Sequence, residues 1–145
     1  MNHVKIFSYT FPSDILLICD AVKKTMCYFE ETCGFLDSTK VFEIKLILNE
    51  LVLNAVRHGN RGDASKNVFL VAGLADEKTV FIIVGDEGEG YNYCEVLGKT
   101  GVGCDCIDIL DLEECGRGVM LVKSLCESIK FNNKGNKVVV LKRVD

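Results

Sequence analysis

Apolar positions along the chain follow two periods, and each change of period marks an element. Residues 3–10, "HVKIFSYT", mix β-branched and aromatic residues and predict a strand that Pro12 ends. Ser13 is an N-cap residue type, and Ile15, Ile18, Val22, Met26 and Phe29 then recur at helical spacing as far as Gly34. Asp37 and Ser38 offer a second cap. The long helix after them carries Phe42, Ile44, Leu48, Leu51, Val52, Ala55 and Val56, and ends near Gly59 in the turn "GNRGD". The Arg-Gly-Asp in that turn is turn chemistry, not an adhesion signal. Two strands, "NVFLVAGL" at 67–74 and "TVFIIVGD" at 79–86, flank the polar turn "ADEK". A helix from about Arg117 to Glu127 and two last strands, "SIKFNN" and "KVVVLKR" around "KGN", complete the pattern. The order β-α-α-β-β-loop-α-β-β predicts an α/β fold, a mixed sheet with helices on one face.

The stretch between Asp86 and Cys115 breaks both periods. It holds nine acidic residues (Asp86, Glu87, Glu89, Glu95, Asp105, Asp108, Asp111, Glu113, Glu114) and one basic residue, Lys99. A loop of that length inside a domain is usually functional or mobile.

Composition narrows the class. The chain has 145 residues, 48% hydrophobic and 26% charged, which fits one globular domain over residues 1–145. The net charge of −4 gives no general electrostatic case for nucleic acid. No apolar run is long enough to cross a bilayer, and residues 1–12 lack the basic start and apolar core of a signal peptide, so a cytoplasmic location is expected. The eight cysteines (Cys19, Cys27, Cys33, Cys94, Cys104, Cys106, Cys115, Cys126) are then expected as free thiols. Cys104 and Cys106 form a C-x-C near Cys94 and Cys115, but structural zinc sites favour paired Cys/His spacings. Small apolar side chains with a few exposed thiols are the simpler expectation.

Three constellations carry chemistry. In "ELVLNAVRHGN", Glu50, Asn54 and His58 recur every four residues on one helical face. Hard oxygen ligands there suit Mg²⁺, and a Glu can accept a proton from an attacking hydroxyl. The same stripe is also what the solvent side of an amphipathic helix looks like. In "VGDEGEGYN", Asp86 ends an apolar strand and Gly88 and Gly90 follow at spacing two. Such glycines let a backbone approach a ligand, and a strand-end Asp can accept hydrogen bonds from an exocyclic amine; a Gly-rich turn is the alternative. In "GRG", Gly116, Arg117 and Gly118 open a helix, where free N–H groups and a cation attract phosphate.

Other nucleotide signatures fail. "GKT" at 98–100 lacks the P-loop glycine, since Tyr93 stands there. The G-x-G stretches at 101–103 and 116–118 are not completed to G-x-G-x-x-G, because Cys106 and Leu121 occupy the third positions. There is no G-x-S-x-G hydrolase elbow.

Taken in order, "NELVLNAVRHG", "DEGEGYN" and "GRGVMLV" resemble the N box and two glycine boxes of the ATP-binding domain shared by histidine kinases, gyrase-type topoisomerases and Hsp90 chaperones. The likeness is greatest to stand-alone bacterial anti-sigma factor serine/threonine kinases, and it covers almost the whole chain. It implies a two-layer α/β sandwich with a mostly antiparallel sheet, binding ATP under a lid at residues 91–115. It implies that Asn54 holds Mg²⁺, that Glu50 is the general base or orients the attacking hydroxyl, and that Asp86 binds the adenine amino group. Gly88 and Gly90 would border base and ribose, and Gly116, Arg117 and Gly118 would meet the phosphates. His58 is expected to shape the pocket edge or cap the turn.

The implied function is a protein kinase that phosphorylates an anti-anti-sigma protein and sequesters a sigma factor, with homodimerisation. A nucleotide-sensing module without catalysis and a detached histidine-kinase catalytic domain are the alternatives. Two features depart from the family pattern. Asn136 and Lys137 stand where a Gly-Thr pair often precedes the last strand, and the acidic loop would repel ATP unless Mg²⁺ or a basic partner intervenes.

Overall fold

The computed structural model describes residues 5–34, 36–90 and 114–145, with side chains in the last stretch from Arg117 onward. Among these residues the elements are β1 (Phe7–Pro12), α1 (Ile18–Cys33), α2 (Ser38–Asn54), β2 (Asn67–Asp76), β3 (Thr79–Asp86), α3 (Glu114–Leu125), β4 (Ser128–Phe131) and β5 (Lys137–Arg143). The strands form one five-stranded sheet in the order β1-β2-β3-β5-β4, and every ladder is antiparallel.

Local chemistry sets most boundaries. Asp37 N-caps α2, its carboxylate accepting from the Lys40 N–H at 2.8 Å, as the sequence predicts. The entry to α1 differs from expectation. Asp14, not Ser13, is the cap, and it caps a 3₁₀ turn at Ile15–Leu17 before α1 begins. Ser13 is instead buried, its Oγ accepting from Asn60 Nδ2 at 2.6 Å. Pro12 is the last residue of β1 rather than its stop, which an edge strand tolerates.

The core lies between the sheet and the helices. Val68, Leu70, Ala72, Val80, Ile82, Val84, Val138 and Val140 point from the strands into one cluster with Ala21, Val22, Met26 and Phe29 of α1. α2 supplies Ile44, Ile47, Leu48, Leu51 and Val52 to the same cluster and packs against both α1 and α3. A helix flanked on two sides and laid on a sheet must be apolar over most of its circumference. That explains why the α2 sequence is so greasy.

One charge enters this layer. Lys142 of β5 is buried and gives its ammonium to Glu43 of α2 and to the Leu125 carbonyl at the C-terminal end of α3. A cation suits a helix C-terminus, where carbonyls lack partners.

Two expectations move. The third helix runs from Glu114 to Leu125 rather than from about Arg117 to Glu127, so Gly116 lies within its first turn rather than just before it. The expected lid, 91–115, falls outside the described residues over 91–113, and Glu114 and Cys115 belong to α3. Among the described residues no helix is long and apolar enough to cross a membrane.

Candidate functional site

The end of α2 changes pitch at the point where chemistry was expected. After Asn54 the chain forms a π turn over Ala55–Gly59, with the Asn60 N–H donating to the Ala55 carbonyl at 2.8 Å. Such turns recur at functional sites because they widen the helix locally. Here the turn leads the backbone across to the end of β3. The Gly88 and Gly59 backbones meet there, so tightly that a Cβ on Gly88 would stand 1.9 Å from the Gly59 oxygen. No side chain fits at that crossing.

Asn60 fastens the crossing. It is buried, and its Nδ2 donates to Ser13 Oγ at 2.6 Å and to the Asn67 carbonyl at 2.8 Å. Its Oδ1 accepts from the Glu87 N–H at 2.8 Å. The start of β2 and the residue after β3 are thereby locked to the turn that follows α2.

Two cavities open at this junction, and Asn54 lines both. The first is bounded by Leu51, Ala55, Val84, Val119, Phe131 and Val138, with Asp86, Asn136 and Lys137 as its polar groups. The second is bounded by Glu50, Leu53, Arg57, His58, Arg117, Gly118 and Leu121. The α2 stripe therefore faces a cleft, and all three of its members reach the second cavity.

Asp86 stands at the mouth of the apolar slot. Burial pushes its carboxyl above the usual range, opposed by the Gly88 N–H, which donates to Oδ1 at 2.8 Å, and by the charges of Lys134 and Lys66. The Asp86 N–H is held by the Asn136 carbonyl at 2.9 Å. Asn132 shapes the turn that presents Asn136, its Oδ1 accepting from the N–H groups of Gly135, Asn136 and Lys137.

On the other side, Gly118 of α3 lies under the Glu50 carboxylate. A Cβ at Gly118 would come within 2.4 Å of Glu50 Oε2 and 3.6 Å of Asn54 Nδ2. Asn54 Nδ2 is buried and has no hydrogen-bond partner among the described residues. Unpartnered buried amide groups are costly and rare.

A sequence model described as the histidine kinase-like ATPase domain matches residues 19–142. This chain belongs to that family. Curated relatives include the serine-protein kinases RsbW of Oceanobacillus iheyensis, 23% identical over 70% of this chain, and of Bacillus subtilis, 22% identical over the same share. The match spans 63% of the length of each of those kinases. The anti-sigma F factor of Clostridium perfringens is 28% identical over 71% of this chain and 72% of its own length.

In this histidine kinase-like ATPase domain, the fold brings Glu50, Asn54, Arg117 and Gly118 to one cavity, and Asn54 with Asp86 to the other. Gly88 holds Asp86 and packs on the crossing. Gly90 adopts φ +96° against the Lys134 carbonyl, and neither it nor Gly88 lines either cavity. Gly116 is placed only as a backbone position in the first turn of α3. His58 lines the Glu50 cavity.

Asn60, Asn132 and Gly59 were not singled out from the sequence. Their signal was slight, an Asn after "HG" and an Asn four residues before Asn136. Their partners are far away in sequence or on backbone atoms that only the fold supplies.

The zinc alternative rests on thiols outside the described residues. Cys94, Cys104 and Cys106 lie outside them, and the Cys115 side chain is not among them either. Cys19, Cys27, Cys33 and Cys126 are free, and burial raises the Cys33 and Cys126 thiols, which keeps them protonated.

Proposed function

We propose that this chain binds ATP across the two cavities and transfers its γ-phosphoryl group to a serine or threonine of a small protein antagonist, while also binding a sigma factor. The observation that carries this reading is Asn54, which joins an apolar slot ending in Asp86 to a cleft holding Glu50 and ends in an unpartnered buried amide. The match to the ATPase family and the names of the RsbW and anti-sigma F relatives support it.

Each residue then has a physical task. The slot of Leu51, Ala55, Val84 and Val138 takes a flat base, and Asp86 accepts from its exocyclic amine. The first-turn N–H groups of α3 and the Arg117 guanidinium face phosphate oxygens. Asn54 fits a hard divalent cation, since half a turn about χ2 exchanges its nitrogen and oxygen and puts the oxygen in the orphaned position. Mg²⁺ bound there would neutralise phosphate charge during transfer. Glu50, beside Gly118, accepts the proton of the attacking hydroxyl. Phosphoryl transfer asks mainly for positioning and charge neutralisation, so this set suffices chemically.

The test is incubation of the chain with Mg²⁺, ATP and a co-encoded anti-anti-sigma protein. Acid-stable phosphate on serine or threonine of that protein, lost in Glu50→Gln while nucleotide still binds, is the expected result. Absence of transfer, or Glu50→Gln behaving as wild type, overturns the kinase reading. Acid-labile phosphate on a partner would instead mark a detached histidine-kinase catalytic domain.

A further inference from the structure

One side chain at the apolar slot is held in a single orientation by a chain of hydrogen bonds. Asn132 lies in the turn between β4 and β5, and its Oδ1 accepts from the N–H groups of Gly135, Asn136 and Lys137. A carboxamide whose oxygen is engaged in this way presents its other end as a donor. Asn132 Nδ2 accordingly donates to Asn136 Oδ1 at 2.8 Å. That contact occupies the Asn136 oxygen and turns its Nδ2 away from Asn132, to the Gly88 carbonyl at 3.4 Å. Reversing the Asn136 amide would set nitrogen against nitrogen at Asn132 and oxygen against oxygen at Gly88. The order of donor and acceptor is therefore locked.

Asp86 is tied to the same glycine. Its Oδ1 accepts from the Gly88 N–H at 2.8 Å, and its own N–H donates to the Asn136 carbonyl at 2.9 Å. A carboxylate and a carboxamide thus rest on the N–H and the C=O of one residue, and Asp86 and Asn136 both line the slot. The polar edge of the slot offers an acceptor beside a donor. The Asn136–Gly88 bond is long for N–H···O, and a carboxamide nitrogen carries two hydrogens, so a ligand acceptor can engage this donor.

We infer that Asn136 donates to the ring nitrogen beside the exocyclic amine of the base, so that Asp86 and Asn136 together admit adenine and reject guanine. The inference rests on the ATP-binding reading above and adds to it the residue that sets base specificity. Asp86 alone recognises an amine. Adenine places an unprotonated ring nitrogen, N1, next to its 6-amine, and this pair meets an acceptor and a donor in the matching order. Guanine in the same pose turns its carbonyl oxygen to the Asp86 carboxylate and its N1–H to the Asn136 amide nitrogen. Both contacts then set like against like, and unpaired polar groups in a site discriminate more strongly than a missing apolar contact does. Asn136 is one of the two positions at which this chain departs from the Gly-Thr pattern of the family, so the contact belongs to this sequence.

The test is equilibrium binding of ATP, GTP and 1-deaza-ATP, in which C–H replaces N1, to the full chain with Mg²⁺. Wild type is expected to bind 1-deaza-ATP about tenfold more weakly than ATP, and GTP at least about a hundredfold more weakly. Asn136→Ala is expected to bind ATP about tenfold more weakly than wild type does, with no further loss for 1-deaza-ATP, because the protein and ligand changes remove the same contact. Asn132→Asp keeps the oxygen that caps the turn and replaces the donor with an acceptor, which reverses the Asn136 amide. This variant is expected to lose the preference for ATP over 1-deaza-ATP with circular dichroism unchanged, an effect that a purely structural role of the turn would not produce. Asn133→Ala, exposed in the same turn, is expected to leave all three affinities unchanged. Should Asn136→Ala fail to fold, the wild-type comparison and Asn132→Asp decide. A wild type that binds ATP but takes 1-deaza-ATP or GTP equally well overturns this inference alone, whereas one that binds no ATP overturns the ATP-binding reading with it.

Discussion

The Glu50 carboxylate rests on the Cα of Gly118, so close that a single methyl group there would stand 2.4 Å from Oε2. Two motifs 68 residues apart in the chain are held together by the absence of one side chain. Gly118→Ala should therefore move Glu50 rather than unfold the domain, because the obstructed atom ends a flexible side chain. Stability should fall by no more than about 1 kcal/mol. Phosphoryl transfer to a protein acceptor should fall by about tenfold to a hundredfold, the scale of a 1 Å misplacement, with nucleotide affinity affected less. Paired thermal melts, nucleotide titrations and transfer rates separate the two effects.

Asp86 makes opposite demands on the empty and the loaded site. Its carboxyl is raised by burial, so the ionised form is the costly one in the folded chain. The contribution to stability is present below the unfolded carboxylate range and is lost as pH rises through the raised folded value. The empty protein should thus gain from protonation of this group on mild acidification, while affinity for ATP should fall, since a protonated acid no longer accepts from the base amine. Asp86→Asn should abolish the acid-side loss of affinity by weakening ATP binding at every pH, about tenfold or more. It should leave the empty protein as stable as wild type or slightly more so. Melting curves against pH, with and without nucleotide, check both signs.

Asn60 satisfies three partners with one buried carboxamide, and of the three only Ser13 is itself buried. Asn60→Ala leaves the Ser13 hydroxyl, the Asn67 carbonyl and the Glu87 N–H to find others. A cost of about 2–3 kcal/mol is expected, or a melting point lower by about 5–10 °C. Asn60→Asp, which keeps the acceptor but not the donor, should recover only the Glu87 part. Calorimetry on the three proteins gives the comparison.

The Lys142–Glu43 pair ties β5, α2 and the end of α3 together inside the apolar layer. Glu43→Ala should cost about 3 kcal/mol, because it strands a buried ammonium. The double variant Lys142→Met with Glu43→Leu should recover most of that loss, since apolar groups of similar volume need no partner. Denaturant titration of single and double variants measures the coupling.

The sequence alone determined the local features of this molecule. Periodicity placed the helices and strands, Asp37 announced the start of α2, and the four-residue stripe in "ELVLNAVRHGN" marked the face that meets the cavities. These are nearest-neighbour effects, in which a residue's partners lie within a turn or a pleat of it. Boundaries were less legible where competing caps lay side by side. Ser13 and Asp14 both suit an N-cap, and the long-range bond from Asn60 to Ser13 decided between them.

Tertiary structure alone decided the rest. The π turn at Ala55–Gly59 exists because α2 must deliver Gly59 against Gly88, a meeting of segments almost thirty residues apart. The meeting of Asp86 with the Asn136 turn follows from β5 inserting beside β3, which no local pattern specifies. Local chemistry selects elements, whereas a site depends on which elements the packed core makes neighbours.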